Sequence, residues 1–360
     1  MPAGGIVWLT LTNGAFLDFA RNWAAHALRL RKGHEMLIAG LDAKVVGALL
    51  AEGLPTFHVS RDGVDAADVR SHAASFRALG AIKAELVLRV ISSGRQALLS
   101  DIDVVWASDP APILADLHAA DLGVSTDCLS PRADAAVAAR PPDGPPIVRG
   151  INRCAYAPGN RDGHSAFNSG IVWLRPTAAA AAAAAAWRAR LTSAEENKWL
   201  DDQLALNELI WWGLHSGPKR EIVGAVGGGG RVVRVRTDQR HGADDPVGST
   251  LKRGWAELLD SGYFRNRSGH ASIGHVEAAH MPDHFNLAPL PAAHFCSGHV
   301  FFVQQVRAPA CPRVIIGIGM RETMIPTRAA PPAGRRAARM PRSPRHVYRE
   351  RPPRQAMAPP

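Results

Sequence analysis

Short apolar runs ended by turn residues alternate, along the first half of the chain, with stretches whose apolar positions recur every three or four residues. Ile6 to Thr12 is the first run, stopped by Asn13-Gly14, and predicts a buried strand. Phe16, Phe19, Trp23, Ala27 and Leu30 then fall at helical spacing, with Lys32-Gly33 closing that helix. Met36 to Gly40 is a second strand, Asp42 an N-cap for a helix through Ala51, and Phe57 to Val59 a third strand after Gly53-Leu54-Pro55. Phe76, Leu79, Ile82, Leu86 and Val90 stripe a further helix that stops near Ser92-Ser93-Gly94. This βαβαβ rhythm predicts an α/β fold: a mainly parallel central sheet with helices on both faces and ligands bound beyond the carboxyl ends of the strands. Asn13 and Asp101 both fall at such ends.

The second half is less regular. A short helical stretch runs from Asp109-Pro110 to Leu117, and Asp121 to Asp127 predicts another strand. Residues 133–146, rich in Ala, Pro and Asp, read as a mobile loop. Ile171 to Leu174 form a four-residue apolar strand, with Asn168 just ahead of it and Pro176 in the first turn of a helix. Nine alanines, Ala178 to Ala186, continue as a plain helix with a featureless face. A helix opening at Asp201-Asp202-Gln203 carries two carboxylates in its first turn, and capping explains only one of them. Residues 224–249 are rich in Gly, charge and turns, with Gly227 to Gly230 read as flexible filler. Leu290-Pro291 and Phe295 to Val303 form the last apolar stretch, and no order is expected after Pro312.

Chemistry concentrates at Leu98 to Trp106, an apolar run broken by Asp101 and Asp103. Read as one strand, it points both carboxylates to one side and Ile102 into the packing. Two buried charges on one face need a cation or an exit into solvent. A hard divalent ion, Mn²⁺ or Mg²⁺, satisfies them and leaves open positions for phosphates; two solvated carboxylates at a strand exit are the plainer reading. Lys83, on the preceding helix, is either a cation for a phosphate or a solvated surface lysine.

The formal net charge is +10, but residues 321–360 hold ten Arg against Glu322 and Glu350, so this segment carries +8 and the other 320 residues only +2. Charge confined to an Arg- and Pro-rich tail, with Tyr348 its one aromatic, argues for disorder and against a nucleic-acid groove. Four cysteines without a CxxC pair give no zinc spacing, and no apolar run is long enough to span a membrane. The expected organisation is a domain over residues 1–305 and a disordered tail over 306–360.

Asn13, Ser100 to Trp106 with Asp109-Pro110, Phe167-Asn168-Ser169-Gly170-Ile171, Asp201-Asp202-Gln203 and Leu290-Pro291 with Phe295-Cys296-Ser297-Gly298 together resemble one family over roughly residues 5–305. It is the nucleotide-diphospho-sugar transferase domain of plant and algal arabinosyltransferase- and xylosyltransferase-like proteins. The resemblance implies an A-type glycosyltransferase fold, a UDP-linked nucleotide-sugar donor, retaining transfer of a pentose to a glycan or glycoprotein, partner glycosyltransferases and a Golgi-lumen setting. It also implies roles: Asp101 and Asp103 as metal and diphosphate ligands, Asn13 and Lys83 on the nucleotide side, and Asn168, Asp202 and Gln203 as the sugar-side wall. Family members usually carry a signal anchor before the first strand, and a His strand with a Gly, Lys and Arg segment after the last. Neither is visible here, so the alternative expectation is an impaired or truncated member that binds a nucleotide sugar or a partner without turnover.

Overall fold

The computed structural model describes residues 5–30, 35–60, 73–127, 167–192, 200–215, 221–226, 230–236, 284–291, 294–297 and 314–316. Strands β1 (Ile6–Thr12), β2 (Met36–Gly40), β3 (Thr56–His58), β4 (Gln96–Ser100), β6 (Leu122–Thr126), β7 (Phe167–Leu174), β8 (Glu221–Val226), β9 (Gly230–Arg236) and β10 (His284–Pro289) build one nine-stranded sheet in the order β3-β2-β1-β4-β7-β6-β10-β9-β8. Only β7 and β9 run against the common direction, so the sheet is mainly parallel. A small second sheet pairs β11 (Cys296–Ser297), β12 (Val314–Ile316) and β5 (Val104–Trp106) in the order β11-β12-β5.

Alternation along each strand sorts the core into two layers. Trp8, Ile38, Leu98 and Trp173 point to the side covered by α1 (Leu17–Arg29), α2 (Ala43–Ala51) and α4 (Ala111–Asp116). Leu9, Leu11, Leu99 and Val172 point to the side covered by α3 (Ala73–Ser92), α5 (Ala178–Thr192) and α6 (Asp202–His215). Asp42 caps α2 by accepting from the Val45 N–H at 2.9 Å, and its other oxygen accepts from Gly14 N at 2.7 Å, tying the turn after β1 to the next helix. Gly94, at φ +78°, supplies the left-handed residue between α3 and β4.

Four sequence readings change. The apolar run through Asp101 is not one strand: β4 ends at Ser100, and β5 begins at Val104 in the other sheet. Two carboxylates cannot lie within a buried ladder, and the chain turns to carry them to the carboxyl edge. The alanine helix is not a featureless surface helix. Ala180 to Ala186 are all buried, because methyl groups let α5 lie close against α3 and α6. Pro176 lies ahead of α5, and Thr177 caps it by accepting from Ala180 N at 3.1 Å. Beyond Glu221, β8 and β9 pair antiparallel where only turns were expected, and β12 lies past Pro312 in the segment read as tail. The loop expected at residues 133–146 and most of the expected tail lie outside the described residues.

Overpacking tests the alanine layer. Ala181→Leu, at a fully buried position, is expected to destabilise the fold by about 1–3 kcal/mol in urea denaturation. Unchanged stability would show the helix to be loosely packed.

Candidate nucleotide-sugar site

The carboxyl edge of the sheet is assembled around Lys83. From α3 its Nζ donates to Asp101 Oδ1 at 2.6 Å and to Asp202 Oδ2 at 2.7 Å. The Lys83 side chain is 10 % exposed, that of Asp202 7 % and that of Asp101 36 %. The reading of Lys83 as a solvated surface lysine is therefore wrong, and its ammonium is committed to two carboxylates rather than held out for a phosphate. One oxygen of Asp101 and one of Asp202 thus share a cation across 101 positions of sequence.

Each partner reaches Lys83 for a local reason. Gly80, one turn earlier on α3, has no side chain; a Cβ there would fall 2.6 Å from the Asp202 Cβ. The absent methyl lets the start of α6 sit on α3. Asp201 caps α6 by accepting from Leu204 N at 2.6 Å, which releases Asp202 from capping duty. Trp187 of α5 donates its indole N–H to the Asp202 carbonyl at 2.8 Å, and the Ser169 hydroxyl donates to Asp202 Oδ2 at 3.0 Å. Asp101 opens a turn closed by Val104 N on the Asp101 carbonyl at 3.2 Å, and its own N–H donates to the Gly170 carbonyl at 2.8 Å.

Burial opposes charge on Lys83, but Asp101 and Asp202 outweigh it and raise the Lys83 pKa above its ordinary value. For Asp202, burial works toward the neutral acid; the Lys83 ammonium and the Ser169 hydroxyl overcome it and hold the carboxyl below the ordinary range. Asp201 is pushed the other way, chiefly by burial.

A second polar group adjoins this one. β7 begins at Phe167, so Asn168 lies within the strand rather than ahead of it. Between Val124/Val172 and Ser125/Asn168 the register with β6 slips, which leaves Ser169, Gly170 and Ile171 out of the β6–β7 register. Asn168 Oδ1 accepts from Gly170 N at 2.7 Å, while its Nδ2 donates to Asp127 Oδ1 at 2.6 Å. Gln203 Nε2 donates to Asp127 Oδ2 at 3.0 Å. Asn207, one turn after Gln203, clamps the start of β7 by accepting from Phe167 N at 2.9 Å and donating to Phe167 O at 2.7 Å. Asn13 follows β1, the neighbour of β4, and is buried at the same edge. Of the residues singled out from sequence, Lys83, Asp101 and Asp202 touch directly, and Asn168 and Gln203 meet on Asp127. Gly80, Asp127, Ser169 and Asn207 were not singled out, although the Gln203 and Asn207 spacing already places both on one helical face.

Asp101 and Asp103 are two hard oxygen donors in a partly exposed turn, a donor set that fits Mg²⁺ or Mn²⁺ completed by water and phosphate oxygens. Among the described residues no cluster of three or more His, Cys, Asp or Glu is placed to hold a metal.

The nucleotide-diphospho-sugar transferase family matches residues 32–305. The chain belongs to that family. By family it is therefore a glycosyltransferase domain. Arabinosyltransferase XEG113 of Arabidopsis thaliana is 26% identical over 299 residues, 83% of this chain and 34% of that protein. Beta-arabinofuranosyltransferase RAY1 of Arabidopsis thaliana is 26% identical over 123 residues, 34% of this chain and 23% of that protein. The chain thus spans about a third or less of the curated relatives it matches. Among solved structures, mouse xyloside xylosyltransferase 1 overlaps 58% of this chain and 82% of its own, at 16% identity and a TM-score of 0.28. Galactosyltransferase LgtC overlaps 47% and 57%, at 16% identity and a TM-score of 0.28.

The charge arrangement has a defined pH window. Asp202 is depressed, so its contribution is present above the ordinary carboxylate value of 3.8 and is lost as pH falls through its lower folded value. Lys83 is raised, so its contribution is present below 10.5 and is lost as pH climbs through its higher folded value. Lys83→Met leaves Asp202 buried and unpaired and is expected to cost about 3–5 kcal/mol at neutral pH. That difference from the parent, measured by denaturation, should hold between those two values and shrink in acid. A pH-independent difference would contradict the ion pair.

Proposed function

We propose that the chain transfers a pentose, arabinose or xylose, from a UDP-linked donor to a glycan or glycoprotein acceptor, with retention at the anomeric carbon and with Mn²⁺ or Mg²⁺ on the diphosphate. The observation that carries this reading is the meeting of Asp101 and Asp202 on Lys83 at one sheet edge, two carboxylates that the reading assigns to the diphosphate and to the sugar. XEG113 and RAY1, named as arabinosyltransferases, favour a pentose. The reading extends to a Golgi-lumen setting, as the family resemblance implies; among the described residues no helix is long and apolar enough to cross a membrane.

Asp101 and Asp103 would hold the divalent ion, which when bound supplies positive charge to the departing diphosphate. The other steps belong to the chain. Asn13, at the end of β1, lies on the nucleotide side. Lys83 keeps Asp202 ionised and fixes both Asp101 and Asp202 in place, so neither carboxylate has to reorganise as charge develops. Asp202, deeply buried and bonded by Lys83 and Ser169, acts through its negative field on an oxocarbenium-like centre rather than as an exposed wall. Asn168 and Gln203, both partly exposed, present amides to the sugar hydroxyls.

Asp103→Ala is expected to abolish Mn²⁺-dependent UDP binding by calorimetry, with the melting temperature kept within about 4 °C because the residue lies in a turn. Metal-independent UDP binding of unchanged strength would defeat the assignment. UDP binding in the parent without any transfer or donor hydrolysis would replace turnover by a binding role.

A further inference from the structure

Two residues of the proposed sugar wall, Asn168 and Gln203, are held by one residue outside it. Asp127, at the carboxyl end of β6 and 8% exposed, accepts from Asn168 Nδ2 through Oδ1 and from Gln203 Nε2 through Oδ2. Both carboxylate oxygens accept, so both side chains turn their NH₂ groups toward it. Asn168 Oδ1 is already engaged by Gly170 N. Among the described residues Gln203 Oε1 is then the acceptor left over, on a partly exposed side chain at the edge where Asp202 begins α6. We infer that Asp127 is a positioning residue that fixes the amide of Gln203, and with it Asn168, so that the site meets donor-sugar hydroxyls with a hydrogen-bond acceptor and selects the sugar rather than the nucleotide.

The inference rests on the nucleotide-sugar reading and makes a distinct demand. An Asn at position 127 keeps one acceptor for Asn168 but presents an NH₂ to Gln203. Two donors cannot bond, so Gln203 turns over and its NH₂ replaces Oε1 at the sugar. A Glu at position 203 sets two carboxylates against each other and also breaks the bond. The double variant D127N/Q203E restores it with donor and acceptor exchanged: the new amide donates to the new carboxylate, whose other oxygen again accepts from the sugar.

The test is calorimetric titration of the parent, D127N, Q203E and D127N/Q203E with UDP and with UDP-arabinofuranose, in Mn²⁺. Each single variant is expected to lose about tenfold in affinity for the nucleotide sugar, the size of one unmade hydrogen bond, and to keep its affinity for UDP. The double variant is expected to recover to within about threefold of the parent, which loss of packing alone would not produce. If D127N folds poorly, Q203E and the double variant carry the comparison. Single variants with an unchanged ratio of the two affinities, equal losses for UDP and UDP-sugar, or a double variant no better than the singles would each overturn the inference. A parent that fails to bind UDP would instead overturn the nucleotide-sugar reading on which it rests.

Discussion

One buried ammonium holds the carboxyl edge together. Lys83 sits where burial alone would drive it neutral, and it remains charged because Asp101 and Asp202 lie on either side. Removing Lys83 leaves the Asp202 charge uncompensated in a poorly solvated place, and its two bonds tie α3 to the turn after β4 and to the start of α6. The rest of the layer conforms to that constraint. Gly80 clears room for Asp202, Trp187 holds its carbonyl, and the alanine helix brings α5 close enough for the indole to reach.

Around this ion triad the sheet does two further things. By ending β4 at Ser100 and resuming at Val104 in another sheet, the chain lifts Asp101 and Asp103 out of the ladder while keeping their backbone braced, at Asp101 by Gly170 and beyond Val104 by β12. The bulge in β7 places Ser169 toward Asp202 and Asn168 toward Asp127, so one irregularity supplies both polar groups. The proposed metal-side carboxylates and sugar-side amides are thereby built on strand ends and one helix start, Lys83 joining Asp101 to Asp202 and Asp127 joining Asn168 to Gln203.

Much of this was legible in the residues. Short apolar runs and helical spacing marked β1, α1, β2 and α2, and Asp42 as a cap, because those signals are local. The excess acid at the start of α6 was legible too: Asp201 caps, which leaves Asp202 for another task. The bridging role of Lys83 was not legible, because its neighbours on α3 are ordinary and its partners lie 18 and 119 positions away. The alanine run misled for the same reason: propensity names a helix but cannot say whether its methyl face meets water or another helix. Asp127 looked like the end of a strand, and only the fold shows two amides converging on it.

The central claim is that Lys83 unites a diphosphate side and a sugar side into one nucleotide-sugar site. A crystal structure with Mn²⁺ and an intact, non-hydrolysable UDP-sugar analogue tests it most directly. The account predicts the diphosphate at Asp101 and Asp103, the sugar against Asn168 and Gln203, and Lys83 still bonded to Asp101 and Asp202. A nucleotide at the opposite edge of the sheet, or a Lys83 released from Asp202 to bind phosphate, would contradict it.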